Sequence, residues 1–170
     1  MRRGSYAYGV AARSMIRGYG DRRMIVVHVV IGVAALALNA VAAMWGGWCW
    51  WRSRSSAWFW RVLRAAQVVV VLEVALGGLL ILLDKKAVSL HYIYGVLPLL
   101  VSLLAEQLRI SSAQTVLDSR GFENAQAVGR LAKDEQRAVV VAIVRMEVGV
   151  MALSAFVNVV LLARAAMVVH

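Results

Sequence analysis

Two histidines lie inside long apolar stretches, where a ring nitrogen is a candidate ligand for a cofactor. His28 and His91 each come about one helical turn after the start of such a stretch. If both stretches are helices that enter a membrane from the same side, the two rings lie at similar depth. A low-spin haem iron accepts neutral imidazoles from facing helices, so the pair is a candidate site for haem b. Single histidines near helix ends are also common interfacial hydrogen-bonding residues, and that alternative stays open.

Neighbouring polar residues could assist such a cofactor. Tyr92 and Tyr94 follow His91 directly and could hydrogen-bond the rim of a haem. The same three residues are candidates for binding a quinone instead. Cationic side chains that could pair with haem propionates flank the same ends of the two stretches; they are Arg22, Arg23, Lys85 and Lys86.

Three further ionisable residues interrupt apolar stretches. Glu73 lies near the middle of one stretch, where an unpaired carboxylate would cost several kcal/mol, so we expect it to be protonated or partnered. It could form a proton path with Glu147, or it could fasten the bundle by a hydrogen bond to Asn39. Arg145 lies near a boundary, where it could reach Glu106 or extend towards water.

Composition places these residues in an integral membrane protein. Of the 170 residues, 62% are hydrophobic, and the mean hydropathy is +0.72. A single cysteine excludes disulfide frameworks, cysteine-based zinc sites and iron–sulfur clusters held by this chain alone. The net charge of +10 favours anionic lipid headgroups over nucleic acid as partners, because basic loops flank the apolar stretches. No soluble-enzyme motif is present, which predicts a protein that is not an enzyme.

The uncharged runs are long enough for four membrane-spanning helices. Isolated strands cannot satisfy their backbone in lipid, so the runs predict an all-α, four-helix transmembrane bundle with up-down-up-down order. A polar connection at 109–137 separates the last two spans, and its apolar spacing predicts a helical extension that breaks at Ser119, Arg120 and Gly121. The predicted spans cover about 25–48, 62–83, 87–108 and 139–163.

The first 23 residues predict a basic flexible tail that precedes the transmembrane domain at 24–170. This segment contains six arginines and little apolar periodicity. Lysines and arginines on the two sides of the membrane balance, so the positive-inside rule does not decide the topology. We expect the N-terminus to be inside, because six arginines are hard to export.

Small and polar residues recur at helical spacing along two of the spans, which predicts faces that meet other helices. Six tryptophans cluster in the first helical hairpin, where indoles favour the headgroup layer; an aromatic cage for a cation is the alternative. The two small-residue stripes are His28, Gly32, Ala35, Asn39, Ala42 and Gly46, and His91, Gly95, Pro98, Ser102 and Ala105.

The stretch from Val70 to Leu100 carries a resemblance. It contains VVLEVALGGLLILL followed by LHYIYGVLPLL, which resembles segments of small uncharacterised bacterial multispanning membrane proteins. It is also similar to haem-binding four-helix halves of the haem A synthase type, where an apolar helix ending in two glycines precedes a helix that opens with a histidine. The Glu-x-x-His pattern of that family is not matched, because Leu76 stands three positions after Glu73.

These patterns predict a non-enzymatic, multi-pass protein of the bacterial inner (cell) membrane. The first functional hypothesis is an accessory or assembly subunit that packs against the transmembrane helices of a larger complex, because small-residue stripes favour helix partners. The alternative is a b-type haem or quinone-binding electron-transfer subunit that uses His28 and His91. A small transporter or channel that uses Glu73 and Arg145 is the third.

Overall fold

The computed structural model of the protein describes the backbone of residues 3–83 and 87–168, and the side chains of residues 22–83 and 87–168. Within these ranges the chain forms five α-helices and no strand. Four helices are long, and one is a short turn before the last. They are α1 (Arg3–Trp51), α2 (Ala57–Leu82), α3 (Ser89–Ser119), α4 (Ala125–Gly129) and α5 (Lys133–Met167).

The four long helices have the length and composition of membrane spans. Many of their large valine, leucine and isoleucine side chains point away from the other helices and are exposed. Such surfaces are suited to lipid, in which every backbone polar group must be satisfied within its own helix. The prediction of an all-α bundle of four long apolar helices is therefore confirmed, as a multi-pass membrane protein requires.

The observed helices extend beyond the predicted spans. The backbone helix of α1 begins at Arg3, whereas the sequence predicts a flexible tail over residues 1–23. No proline interrupts this segment, so the helix of the first span can continue through it. Helix α3 ends at Ser119, at the predicted break. Gly121 has a φ of 74° there, and the N–H of Phe122 bonds to the carbonyl of Leu117, which ends the helix with a left-handed glycine.

Helices α1 and α2 run antiparallel and pack closely at glycines. A Cβ atom on Gly46 would lie 2.5 Å from the Phe59 ring, and one on Gly32 would lie 2.8 Å from Glu73 Oε1. Moving down one helix therefore moves up the other, residue for residue. This register continues the predicted up-down-up-down order and brings the Glu73 carboxylate against the backbone of α1.

Helix α5 packs against both α1 and α3, whereas α2 and α3 make the least extensive contact between neighbouring long helices. At the middle of α5, Asn158 donates hydrogen bonds to Asn39 Oδ1 (3.4 Å) and to Ser102 Oγ (3.0 Å). All three side chains are buried. Because they lie on three different helices, these bonds fix the register of α1 and α3 on α5. The small-residue stripe of α1 thus meets helices of its own bundle.

The main core lies between α1, α2 and α5, and it contains the single cysteine. Cys49 is 6% exposed, so its thiol is a poor target for labelling reagents that would report the topology. Around it pack the other buried members of the cluster, which are Ala42, Phe59, Leu63, Ala105, Val148, Met151 and Ala155.

Helices α3 and α5 project beyond the turn that joins α1 and α2. Gly149 lies against Trp50, near the end of α1, and α5 begins 16 residues earlier at Lys133. A helical rise of 1.5 Å per residue makes this projection about 24 Å long. It has its own apolar cluster, built on Val116, Leu117 and Val139 and covered by Phe122 and Val128. We call this part the α3–α5 extension.

Candidate histidine site

The structure brings His28 and His91 together across the bundle. Their ring centroids are 6.0 Å apart, and the ring planes make an angle of 74°. His28 is on α1 and His91 on α3, which do not follow each other in the chain. The equal depth that the sequence predicts follows from the antiparallel order, since both helices run in the same direction.

Glu73 completes the site from α2. Its Oε1 atom lies 3.2 Å from His28 Nδ1, and the two side chains are 13% and 18% exposed. The contact has the distance of an ion pair but not the direction of a hydrogen bond, and Glu73 Oε2 has no partner among the described residues. The glycine Gly32 leaves room for the carboxylate, and Gly77 leaves room for the imidazole. The alternative bond from Glu73 to Asn39 is not formed, because Asn39 bonds to Ala35 and Asn158.

His91 is oriented by the backbone of α5. Its Nδ1 atom lies 3.0 Å from the carbonyl oxygen of Ala165, a distance at which the ring N–H donates to that oxygen. Within the described ranges, the Nε2 atoms of His28 and His91 have no hydrogen-bond partner. Both imidazoles therefore have Nδ1 occupied by an oxygen atom and Nε2 available, which is the arrangement found in metal-bound histidines.

The two tyrosines occupy different surroundings. The ring of Tyr92 lies 6.4 Å from that of His91, and its hydroxyl accepts a hydrogen bond from the backbone N–H of Ala87. Tyr94 lies under the guanidinium of Arg164, 5.8 Å from the ring centroid. Only Tyr92 is thus in contact with the histidine pair. The lysines Lys85 and Lys86, predicted to pair with propionates, lie outside the described residues.

Arg145 and Glu147 belong to the other end of the bundle. The Arg145 guanidinium lies over the Trp50 ring, whereas Glu73 lies against Gly32, 18 residues earlier on α1. That separation is about 27 Å along the helix axis. Glu73 therefore forms no site with Arg145, and no direct proton path with Glu147.

Glu106 has different partners from those considered in the sequence. It forms ion pairs with Arg64 of α2 and with Arg109 of α3 rather than with Arg145. Gln67 also donates to Glu106 Oε1, at 2.9 Å. The sequence does contain a signal for this group, because Arg64 and Gln67 are three residues apart, as are Glu106 and Arg109. The register of α2 against α3 was the missing information.

The tryptophans form an interfacial belt with arginines stacked on them. Guanidinium groups lie 4.9–5.9 Å from the indole centroids, at cation–π distance. The chain's own cations thus cover the faces that a cage for an external cation would need. The stacked pairs are Arg52–Trp48, Arg61–Trp58, Arg109–Trp60 and Arg145–Trp50.

The histidine site has two nitrogen ligands to offer. No group of three His, Cys, Asp or Glu side chains that could hold a metal ion occurs in the described part of the chain. Two imidazoles on opposite sides of one metal ion, with bonds of about 2 Å, put their ring centroids about 6 Å apart. The observed 6.0 Å fits that arrangement. A porphyrin supplies the remaining four ligands, so the donor set fits a haem better than a free ion.

Comparisons with protein-family models, with curated proteins and with solved structures find no significant match to this chain.

Proposed function

We propose that the protein is a b-type haem electron-transfer subunit of the bacterial inner membrane, with His28 and His91 as the two axial ligands. The observation that carries the proposal is the pair of imidazoles, 6.0 Å apart, with both Nδ1 atoms occupied. Four apolar helices place this pair inside a membrane bundle, near one of its ends. The haem would supply one-electron chemistry, which needs no catalytic residue of the protein.

The chain's own residues orient the two ligands. Glu73 Oε1 faces His28 Nδ1, which favours a proton on that nitrogen and leaves Nε2 as the metal ligand. The carbonyl of Ala165 does the same for His91. Both oxygens also add electron density to the imidazoles, which favours the oxidised state of a bound iron. The apolar side chains around the bundle keep water from the site.

Visible absorption of the purified protein tests this proposal. We expect protein extracted in dodecyl maltoside from haem-replete cells to show a Soret band, and His28→Ala and His91→Ala to lose it because each removes one iron ligand. The matched control is His170→Ala, which removes the third histidine and should keep the band. Circular dichroism and gel filtration would show that all variants are folded. Wild-type protein that binds no haem even after addition of haemin would contradict the proposal.

A second candidate function is the accessory or assembly subunit of a larger membrane complex. The α1 stripe no longer favours it, because that stripe packs inside the bundle. The observation that does is an apolar groove of about 560 Å³ between α1 and α5, lined by residues that include Met44, Gly47, Trp50, Gly149 and Phe156. A groove with glycines on both walls allows the backbone of another helix to come close.

Filling the groove tests the second candidate. A side chain on Gly47 would meet no atom within 4 Å, so Gly47→Leu should fill the groove without disturbing the bundle. We expect the wild type, extracted in digitonin, to migrate on a native gel in a larger complex and Gly47→Leu to migrate as the free protein. Val41→Leu, at an exposed position on the same helix, is the control. A wild type that migrates alone would contradict a partner complex.

A further inference from the structure

A polar cluster bridges α2 and α3 in the half of the bundle opposite the histidines. It consists of Arg64 and Gln67 on α2 and of Glu106 and Arg109 on α3, and we call it the Arg64–Arg109 cluster. It lies in the seam where the contact between neighbouring long helices is least extensive. Nothing in the haem proposal uses these residues.

The carboxylate of this cluster has no acceptor capacity to spare. Glu106 Oε1 accepts hydrogen bonds from Arg64 and Gln67, and Oε2 accepts from Arg64 Nη2 at 3.3 Å and from Arg109 Nε at 3.0 Å. Two guanidinium groups thus share one carboxylate. The cluster has a net charge of +1, and its carboxylate is fully occupied.

The two arginines keep unused donors that face the membrane. Arg109 donates only its Nε–H, so both terminal nitrogens have no hydrogen-bond partner within the described ranges. Its guanidinium lies over the Trp60 ring, and its side chain is 29% exposed. The Arg64 side chain is 47% exposed. Guanidinium N–H groups that face a bilayer need acceptors, because unsatisfied donors are costly in an apolar surrounding.

The depth of the cluster matches the lower part of the headgroup layer. Leu63 and Ala105, next to the cluster, pack in the same core as Ala155, which lies six residues from Gly149 and so about 9 Å below the end of α1. Long arginine side chains span such a distance by extending towards the interface. The belt of tryptophans at the α1–α2 turn marks that interface.

We propose that the Arg64–Arg109 cluster binds the phosphodiester group of an anionic phospholipid, with Arg109 and Arg64 as the donors. Guanidinium groups bind phosphate oxygens through paired N–H donors, and the indole of Trp60 holds Arg109 in place. Glu106 has no free oxygen for the ammonium of a choline or ethanolamine headgroup. A lipid with a phosphate and no ammonium, such as phosphatidylglycerol, therefore fits the site best, and its acyl chain can lie along the seam between α2 and α3.

Thermal unfolding of delipidated protein in dodecyl maltoside tests the proposal. Phosphatidylglycerol should raise the Tm of the wild type, because a ligand that binds only the folded state stabilises it. Arg109→Gln should abolish most of this rise, and Arg109→Lys should keep part of it because the charge remains but the fork of donors is lost. The matched control is Arg54→Gln, an exposed arginine of the α1–α2 turn, which should keep the full rise.

Two comparison ligands separate the sources of the phosphate. Phosphatidylcholine should raise the Tm less than phosphatidylglycerol does, and inorganic phosphate should not raise it. An equal rise with phosphatidylcholine would overturn the preference for an anionic lipid, and an equal rise with inorganic phosphate would overturn the lipid assignment. A rise that Arg109→Gln and Arg54→Gln change to the same extent would mean that the lipid binds the general basic surface. Native mass spectrometry of lipid retained by the same folded variants gives a second readout.

Discussion

Gly46→Ala is expected to lower the free energy of unfolding by about 1–3 kcal/mol, and Gly46→Leu is expected to prevent the bundle from forming. A Cβ atom at this position would lie 2.5 Å from the Phe59 ring and 2.8 Å from the Ala152 Cβ. These neighbours belong to α2 and α5, so one added side chain forces both helices away from α1. Unfolding of purified protein in increasing sodium dodecyl sulfate, followed by circular dichroism, measures the effect.

The adjacent glycine provides the control for this prediction. Gly47→Ala and Gly47→Leu add the same atoms one position later, where a Cβ would meet no atom within 4 Å. Both Gly47 variants should therefore unfold close to the wild type. Equal losses at the two positions would show that the effect comes from helix flexibility and not from the contact with Phe59. The double variant Gly46→Ala, Phe59→Leu should recover part of the loss, because a smaller side chain replaces the ring.

Glu73→Lys is expected to abolish the accumulation of folded protein in the membrane, whereas Glu73→Gln should accumulate almost normally. The Glu73 side chain is 13% exposed and faces His28, which offers no negative charge to a lysine. A lysine near the centre of a span costs about 2.5–3.5 kcal/mol for insertion. Glutamine keeps the shape of the side chain and an oxygen that can accept from His28. Membrane yield and the Tm in detergent are the measurements.

A carboxylate at the other end of the bundle separates position from charge in this experiment. Glu147 is half-buried, close to Gly149 and therefore to the level of Trp50 at the interface. Glu147→Lys makes the same change of charge where a lysine can extend to water, so it should insert with a small loss. If Glu73→Lys reached the yield of the wild type, the carboxylate would not be buried in the bundle as described.

The sequence predicts the features of this fold that depend on composition along one helix. Long uncharged runs locate the four spans, and Gly121 marks the end of α3, because both signals are local. The similar depth of His28 and His91 also follows from each residue's distance to the start of its own run. Helix direction and depth are thus readable without knowing which helices touch.

Pairs between helices could not be predicted, because they depend on rotation and register. The sequence offered Asn39 as a partner for Glu73 and Arg145 as a partner for Glu106, and the structure instead pairs these carboxylates with His28 and Arg64. A shift of a few residues along a helix exchanges one partner for another at the same apolar composition. The accessory-subunit hypothesis depended on the same missing information, since a small-residue stripe looks alike whether its partner lies inside or outside the chain.

The central place of α5 also sets an order of events during synthesis. The ribosome completes α1, α2 and α3 before α5, and until then the main core, the Asn158 hydrogen bonds and the carbonyl that orients His91 are all missing. The nascent chain therefore waits as an open trough of three helices, in which His28 and Glu73 have already met. Release of the last 35-residue helix closes that trough. A large flat cofactor can enter from the side only before this moment, so insertion of α5 and loading of the site are coupled in time.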